Sequence, residues 1–193
     1  MSGKRKIILA STSPRRREIL LKAGLTFEIV TSDYEEDMSQ PLPPAELVKN
    51  LSAGKASSVA ARHRDAVVIG ADTVVVLNGE ILGKPKTPER AKEMLKKLSG
   101  RAHSVFTGFA VRCDADGKCA VEAVETKVHF RKLSDRDIEE YVASGEPLDK
   151  AGAYGIQGLA AAFIERIEGD YHNVVGLPLE ALLRVLKKFG IEL

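Results

Sequence analysis

The stretch "AVVIGADTVVVL", Ala66 to Leu77, is apolar and β-branched along almost its whole length and carries a single carboxylate, Asp72. A run of this kind suits a strand covered on both faces, so it predicts the central strand of the fold. Asn78-Gly79 follows directly, the residue pair preferred by tight hairpin turns, and it predicts an antiparallel return through "EILGKP", Glu80 to Pro85. A central strand that is also half of a hairpin implies a mixed sheet.

Upstream, "KIILA" (Lys6 to Ala10) reads as a second buried strand that passes straight into a helix. Ser13 is placed to cap that helix, Pro14 suits its first position, and Gly24 is the matching stop. "TFEIVTSD" (Thr26 to Asp33) reads as a further strand, and Pro41 to Pro44 break the chain before an amphipathic helix from about Ala45 to Arg62. Downstream, Thr87-Pro88 repeats the cap-plus-proline device and opens a helix ending at Gly100. A long hairpin follows, "HSVFTGFAVRC" and "CAVEAVETKVHFRKL", turning at Asp116-Gly117. Ser134 with Asp135 and Asp137 starts a helix that stops at Gly145. The glycine-rich "GEPLDKAGAYGIQG", a strand in "AAFIERIEG" and a helix from about Pro178 to Phe189 complete the chain. Strands and helices alternate with hairpins inserted, which predicts an α/β fold on a mixed sheet.

With 193 residues, 44% hydrophobic and 29% charged, the composition is that of an ordinary globular protein and predicts one folding unit over residues 1–193. The apolar run Ile7 to Ala10 is too short for a signal-peptide core or a membrane span, so a cytoplasmic location is expected. A net charge of +2 with 5% aromatic residues and no tryptophan does not suit a surface for a nucleic acid polymer. Any bound anion should be small and held by local groups. Cys113 and Cys119 flank the "DADGK" turn, where a disulfide is geometrically conceivable; free thiols are expected without export signals.

Four places could carry chemistry. The free N–H groups where "KIILASTSP" enters its helix favour an anion, whereas Arg15, Arg16 and Arg17 in the first turn oppose the helix dipole by ~0.3 to 1 kcal/mol each. Helix stability does not explain them; an anion held between the amides and a guanidinium would, and a solvated arginine cluster is the alternative. Asp72 would suffer heavy desolvation among its β-branched neighbours unless it met a cation or donors. Small residues beside it (Gly70, Ala71, Thr73) suggest a strand end, with Lys84 returning on the hairpin. Glu35, Glu36 and Asp37 in "TSDYEED" could supply a second carboxylate which, with Asp72, would hold Mg²⁺ beside substrate phosphates. In "DKAGAYGIQG" the glycines bring backbone and Gln157 near a planar ligand, and the glutamine amide can pair with a base carbonyl and imide together. Two other features carry little. "SAGKAS" (Ser52 to Ser57) lacks the first glycine and the hydroxyl of a P-loop, so pattern alone leaves Lys55 a surface lysine, and the four histidines show no zinc spacing.

Taken as a set, "LASTSPRRREIL", "GADTVV", "GKP", "SGRAHSVFTG" and "GEPLDKAGAYGIQGLAAAFIERIEGDYHNVVGLPL" resemble the Maf proteins, nucleoside triphosphate pyrophosphatases once named for septum formation. The likeness runs from about Ile7 to Leu186. It implies the fold of Maf and inosine-triphosphate pyrophosphatases, an elongated mixed sheet flanked by helices with a cleft between two lobes. It implies Asp72 as catalytic proton acceptor, with Ser11, Arg15, Glu36, Lys55 and Lys84 around phosphates and metal. Glu35 is an adjacent alternative to Glu36. Arg15, Thr73 and Gln157 match specificity-linked residues of the branch acting on dTTP and UTP. Within the arginine cluster, Arg15 is expected to face substrate, Arg16 to support it and Arg17 to be solvated. The implied reaction splits a nucleoside triphosphate between its α and β phosphates, with Mg²⁺ or Mn²⁺ as cofactor. The resemblance also suggests a homodimer. Two alternatives stay open at this stage: a 7-methyl-GTP pyrophosphatase, and a non-enzymatic nucleotide-binding regulator of septum formation.

Overall fold

The computed structural model describes residues 5–192. Its strands form a seven-stranded mixed sheet whose path is built on β3 (Val67–Leu77), the run that opens the sequence argument. β1 (Ile7–Leu9) pairs parallel to β3 through Leu9↔Ile69 and carries β2 (Glu28–Ile29) on its other side. Asn78 (φ 50°) and Gly79 (φ 82°) make the left-handed turn expected of this pair. β4 (Glu80–Leu82) then returns antiparallel, as far as Val75↔Leu82. β5 (Ala102–Cys113) and β6 (Lys118–Phe130) form the long hairpin, and β7 (Ile164–Glu168) closes the order β2-β1-β3-β5-β6-β7.

The helices begin and end where their punctuation places them. α1 (Pro14–Lys22) starts behind Ser13, whose Oγ accepts from the Arg16 N–H, and ends before Gly24 at φ 78°. α2 (Pro44–Ala60) follows the proline cluster. α3 (Pro88–Leu98) is capped by Thr87, and α4 (Asp135–Ala143) opens with a reciprocal capping box between Ser134 and Asp137. The short α5 (Tyr171–Val175), not expected from the sequence, precedes α6 (Leu179–Lys188). The strand expected over "TFEIVTSD" shrinks to two residues, because the chain leaves β1 to run beside α2 instead.

The described chain divides into two compact units. One takes the residues up to Asp72, Thr107–Val124 and those from Gly176 onward; the other takes Thr73–Phe106 and Glu125–Val175. In the first, Ile8, Val68 and Ala110 of the sheet, with Ala10 just past β1, pack on Ala56, Val59 and Ala60 of α2. In the second, Leu95 and Leu98 of α3, Tyr141 and Val142 of α4, and Phe130 and Phe163 share a core. No helix among the described residues is long and apolar enough to cross a membrane. Cys113 is buried and Cys119 exposed, both as free thiols.

Candidate active site

In the first unit the site is built around α2 and β3. α2 buries the positions 47, 48, 51, 52, 55, 56, 59 and 60, a regular helical stripe. Lys55 lies on that stripe, so its ammonium goes inward. Two glycines let the helix come close enough to matter. A Cβ on Gly70 of β3 would stand 2.4 Å from the Ser52 carbonyl oxygen, and one on Gly108 of β5 would stand 2.3 Å from that of Val48. The α2 backbone therefore rests directly on the sheet.

The consequence is an ion triad. Lys55 Nζ donates to Asp72 Oδ1 at 2.5 Å and meets Glu36 Oε1 at 2.9 Å, with a long third contact of 3.5 Å to the Ala71 carbonyl. Lys55 is 9% exposed and Asp72 8% exposed, so two charges taken from water stabilise one another at close range. This corrects the pattern-based reading of Lys55 as a surface lysine. The helical spacing was the signal: a lysine at the third turn of an otherwise buried stripe has no route to solvent except past the sheet. A second correction concerns Asp72, which is not at a strand end. It sits within continuous β3, between the stretch paired to β1 and the stretch paired to β4.

Glu36 reaches Lys55 because its loop is fastened to α2. The Tyr34 ring lies over Gly54, where a Cβ would come within 2.3 Å of the ring. The Asp33 N–H donates to Ser58 Oγ at 3.2 Å, and Arg62 pairs with Asp33 at 2.7 Å while donating to the Thr31 carbonyl at 3.2 Å. These contacts choose Glu36 over Glu35 as the partner of Lys55. Sequence reasoning missed Tyr34 and Gly54; a glycine inside a helix, which costs ~1 kcal/mol against alanine, was the available sign that something packs there.

The arginine cluster resolves into three environments. Arg16 is half-buried and anchored: Nε donates to the Gly176 carbonyl at 2.8 Å and Nη1 to Ser11 Oγ at 3.3 Å. Burial lowers its pKa, neighbouring Asp72 and Glu36 act in the opposite direction, and Arg15 adds to the lowering. Arg16 is thus part of the same charge cluster as the triad. Its bonds to Gly176 and Ser11 supply what the helix dipole opposes. Arg15 is half-buried and Arg17 exposed. The structure therefore brings together Ser11, Arg16, Glu36, Lys55 and Asp72. Thr73, half-buried, and Lys84 and Gln157, both exposed, belong to the second unit. Lys84 follows β4, two residues past the last pair, Val75↔Leu82.

Known proteins resemble the chain over nearly its whole length. The model of the Maf-like protein family matches residues 6–189, a span that contains every described helix and strand. The chain is 53% identical over 186 residues to a protein of Pelotomaculum thermopropionicum named dTTP/UTP pyrophosphatase, covering 96% of this chain and 97% of that one. It is 50% identical over 190 residues to a protein of the same name from Alkaliphilus metalliredigens, covering 97% and 98%. A solved HAM1 protein structure from Coxiella burnetii shares the fold, with a TM-score of 0.52 at 16% identity over 95% of this chain and 99% of that one. The sheet built on β3, the motifs along it and the near-full-length match make one conclusion unavoidable: this chain belongs to the Maf family.

Proposed function

We propose that the protein is a nucleoside triphosphate pyrophosphatase that hydrolyses dTTP and UTP to the nucleoside monophosphate and pyrophosphate. The observation that carries the reading is the buried Lys55 ammonium held between Asp72 and Glu36, on a chain that shares half its residues with proteins named for that activity. Modified pyrimidine nucleotides belong to the same chemical class, which makes a housecleaning role the natural physiological setting.

The donor chemistry suits a divalent cation. Asp72 Oδ1 and Glu36 Oε1 converge on one positive group, and two carboxylates presented to one point are the hard-oxygen set that Mg²⁺ or Mn²⁺ takes beside substrate phosphates. Among the described residues no group of three or more His, Cys, Asp or Glu side chains converges, so phosphate oxygens and water would complete the coordination. When bound, the metal supplies charge to the phosphates and acidifies water.

The chain's own groups divide the remaining work. A triphosphate brings roughly four negative charges near neutral pH, and Lys55 with Arg15 and Arg16 offsets part of them. The same cations favour the charge that develops on departing pyrophosphate. Asp72 is assigned the proton of the attacking water. Its Oδ1 already accepts from Lys55 Nζ, so acceptance of a proton there competes with that bond. Ser11 holds Arg16 in place. Lys84 is assigned to phosphate binding, and Thr73 and Gln157 to selection of the base, roles that rest on the family resemblance and on the pairing capacity of a glutamine amide.

The test is a nucleotide panel assayed for monophosphate and pyrophosphate together, with Mg²⁺ or Mn²⁺ present. Pyrophosphate release from dTTP and UTP is expected, and Asp72→Asn is expected to lose turnover while still binding nucleotide. An enzyme that consumes only 7-methyl-GTP, or releases orthophosphate, contradicts the reading. Gel filtration of the same preparation tests the homodimer.

A further inference from the structure

Gln157 lies in a turn that belongs to no helix or strand, between Gly155 and Gly158. Fixing such backbone costs conformational entropy, so a side chain carried there selects nothing unless the turn is held. One side chain holds it. Glu146, half-buried just after α4, accepts from the Tyr141 hydroxyl through Oε1 at 3.0 Å and from the Leu159 N–H through Oε2 at 3.1 Å. The Tyr141 oxygen in turn accepts from the Gly155 N–H at 3.3 Å. Gly158 lies flat on the same carboxylate, since a Cβ there would come within 2.1 Å of Oε1. Lys150 completes the frame: its Nζ donates to the Glu146 carbonyl at 2.6 Å, and its stem fills the space beside Gly155. The backbone is thus pinned at residues 155, 158 and 159, on both sides of Gln157, while Gln157 itself stays exposed.

We propose that Glu146 is a positioning residue for substrate selection, its carboxylate holding the 155–159 turn so that the Gln157 amide is presented in one orientation to the pyrimidine base. Two acceptor oxygens are required, one for each donor, which is why a carboxylate serves and an amide does not. Burial and the adjacent Glu146 charge both raise the Tyr141 pKa, so its hydroxyl remains a donor throughout the working range. The inference rests on the reading of Gln157 as the base-selecting residue.

The experiment compares kcat/KM for dTTP against dGTP in the full-length protein with Mg²⁺, for wild type, Q157A, E146A and the double variant. If the turn populates its competent form only a tenth of the time without Glu146, the pyrimidine preference of E146A falls about tenfold, through KM. The double variant should then show no further fall beyond Q157A. A Q157A enzyme that keeps its full preference refutes base selection by Gln157 and this inference with it. A Q157A enzyme that loses preference while E146A retains it, or effects that add in the double variant, overturns the positioning role alone. Tyr141→Phe keeps the ring in the core and removes only the hydroxyl, which donates to the Glu146 carboxylate and accepts from the Gly155 N–H, so it carries the same test if E146A does not fold; a fall of about tenfold, the scale of one hydrogen bond to a charged group, is expected.

Discussion

Replacing Lys55 with methionine removes the ammonium and keeps an unbranched apolar side chain as far as Cε. Asp72 is then left 8% exposed, with its closest partner, at 2.5 Å in the native pair, gone and Arg16 as a more distant cation of the same cluster. Breaking a buried ion pair from one side typically costs ~3 to 5 kcal/mol, because an uncompensated charge stays behind. Glu36 adds little to that loss, since its side chain is 44% exposed and water replaces the contact. For a chain of this size each kcal/mol shifts the melting temperature by about 2 to 4 °C, so a fall of about 10 °C is expected. The assays are thermal and urea denaturation at pH 7 in the presence of a chelator, so that no metal substitutes for the ammonium. The Asp72→Asn partner separates the pair energy from the loss of lysine packing: with no charge to strand, K55M/D72N should recover about 1 to 3 kcal/mol relative to additivity. A cost below about 1 kcal/mol for K55M, the size of an exposed pair, would refute the argument that Lys55 neutralises a buried Asp72.

Three further outcomes are expected. Gly70→Ala places a methyl 2.4 Å from the Ser52 carbonyl, so α2 must move; it should lower stability by about 1 to 3 kcal/mol and reduce pyrophosphate release by more than its unfolded fraction explains, whereas undiminished activity would show that the seat of α2 does not set the triad. Glu36→Ala should reduce kcat/KM for dTTP while Glu35→Ala leaves it near wild type, and the reverse order would transfer the site carboxylate to Glu35. His103 is 4% exposed, bonded through Nε2 to the Tyr154 hydroxyl at 2.7 Å, and burial lowers its pKa from 6.5 to about 4. The unfolded chain therefore binds a proton that the folded one refuses between those values, and stability present above pH 6.5 should be lost as pH falls, by about 3 kcal/mol at pH 4. A His103 ring that titrates near pH 6.5 by NMR would remove that contribution.

Much of the fold was determined by local chemistry alone. β3 could be placed because a doubly covered strand needs apolar residues on both faces, and its hairpin because Asn78-Gly79 accepts positive φ at both positions. The caps at Ser13, Thr87 and Ser134 are likewise local, each a side-chain oxygen satisfying an N–H three residues on. The family resemblance implies Asp72, Lys55 and Glu36 as site residues but says nothing of the contacts that hold them.

What the sequence could not supply was the reason these residues belong together. Lys55 and Asp72 meet only because α2 settles on glycines of two strands, and Glu36 joins them because Tyr34 packs over Gly54 in the helix. Arg16 is tied to a carbonyl 160 positions away in the chain, a contact no local pattern encodes. The Gln157 turn shows the same division, its glycines legible and its clamp at Glu146 not. Local propensity depends on a residue and its neighbours within a turn or two, so it is written in the sequence directly. The electrostatic partner of a buried charge depends on which distant surface covers it, and that is decided only when the helix and the sheet close on one another.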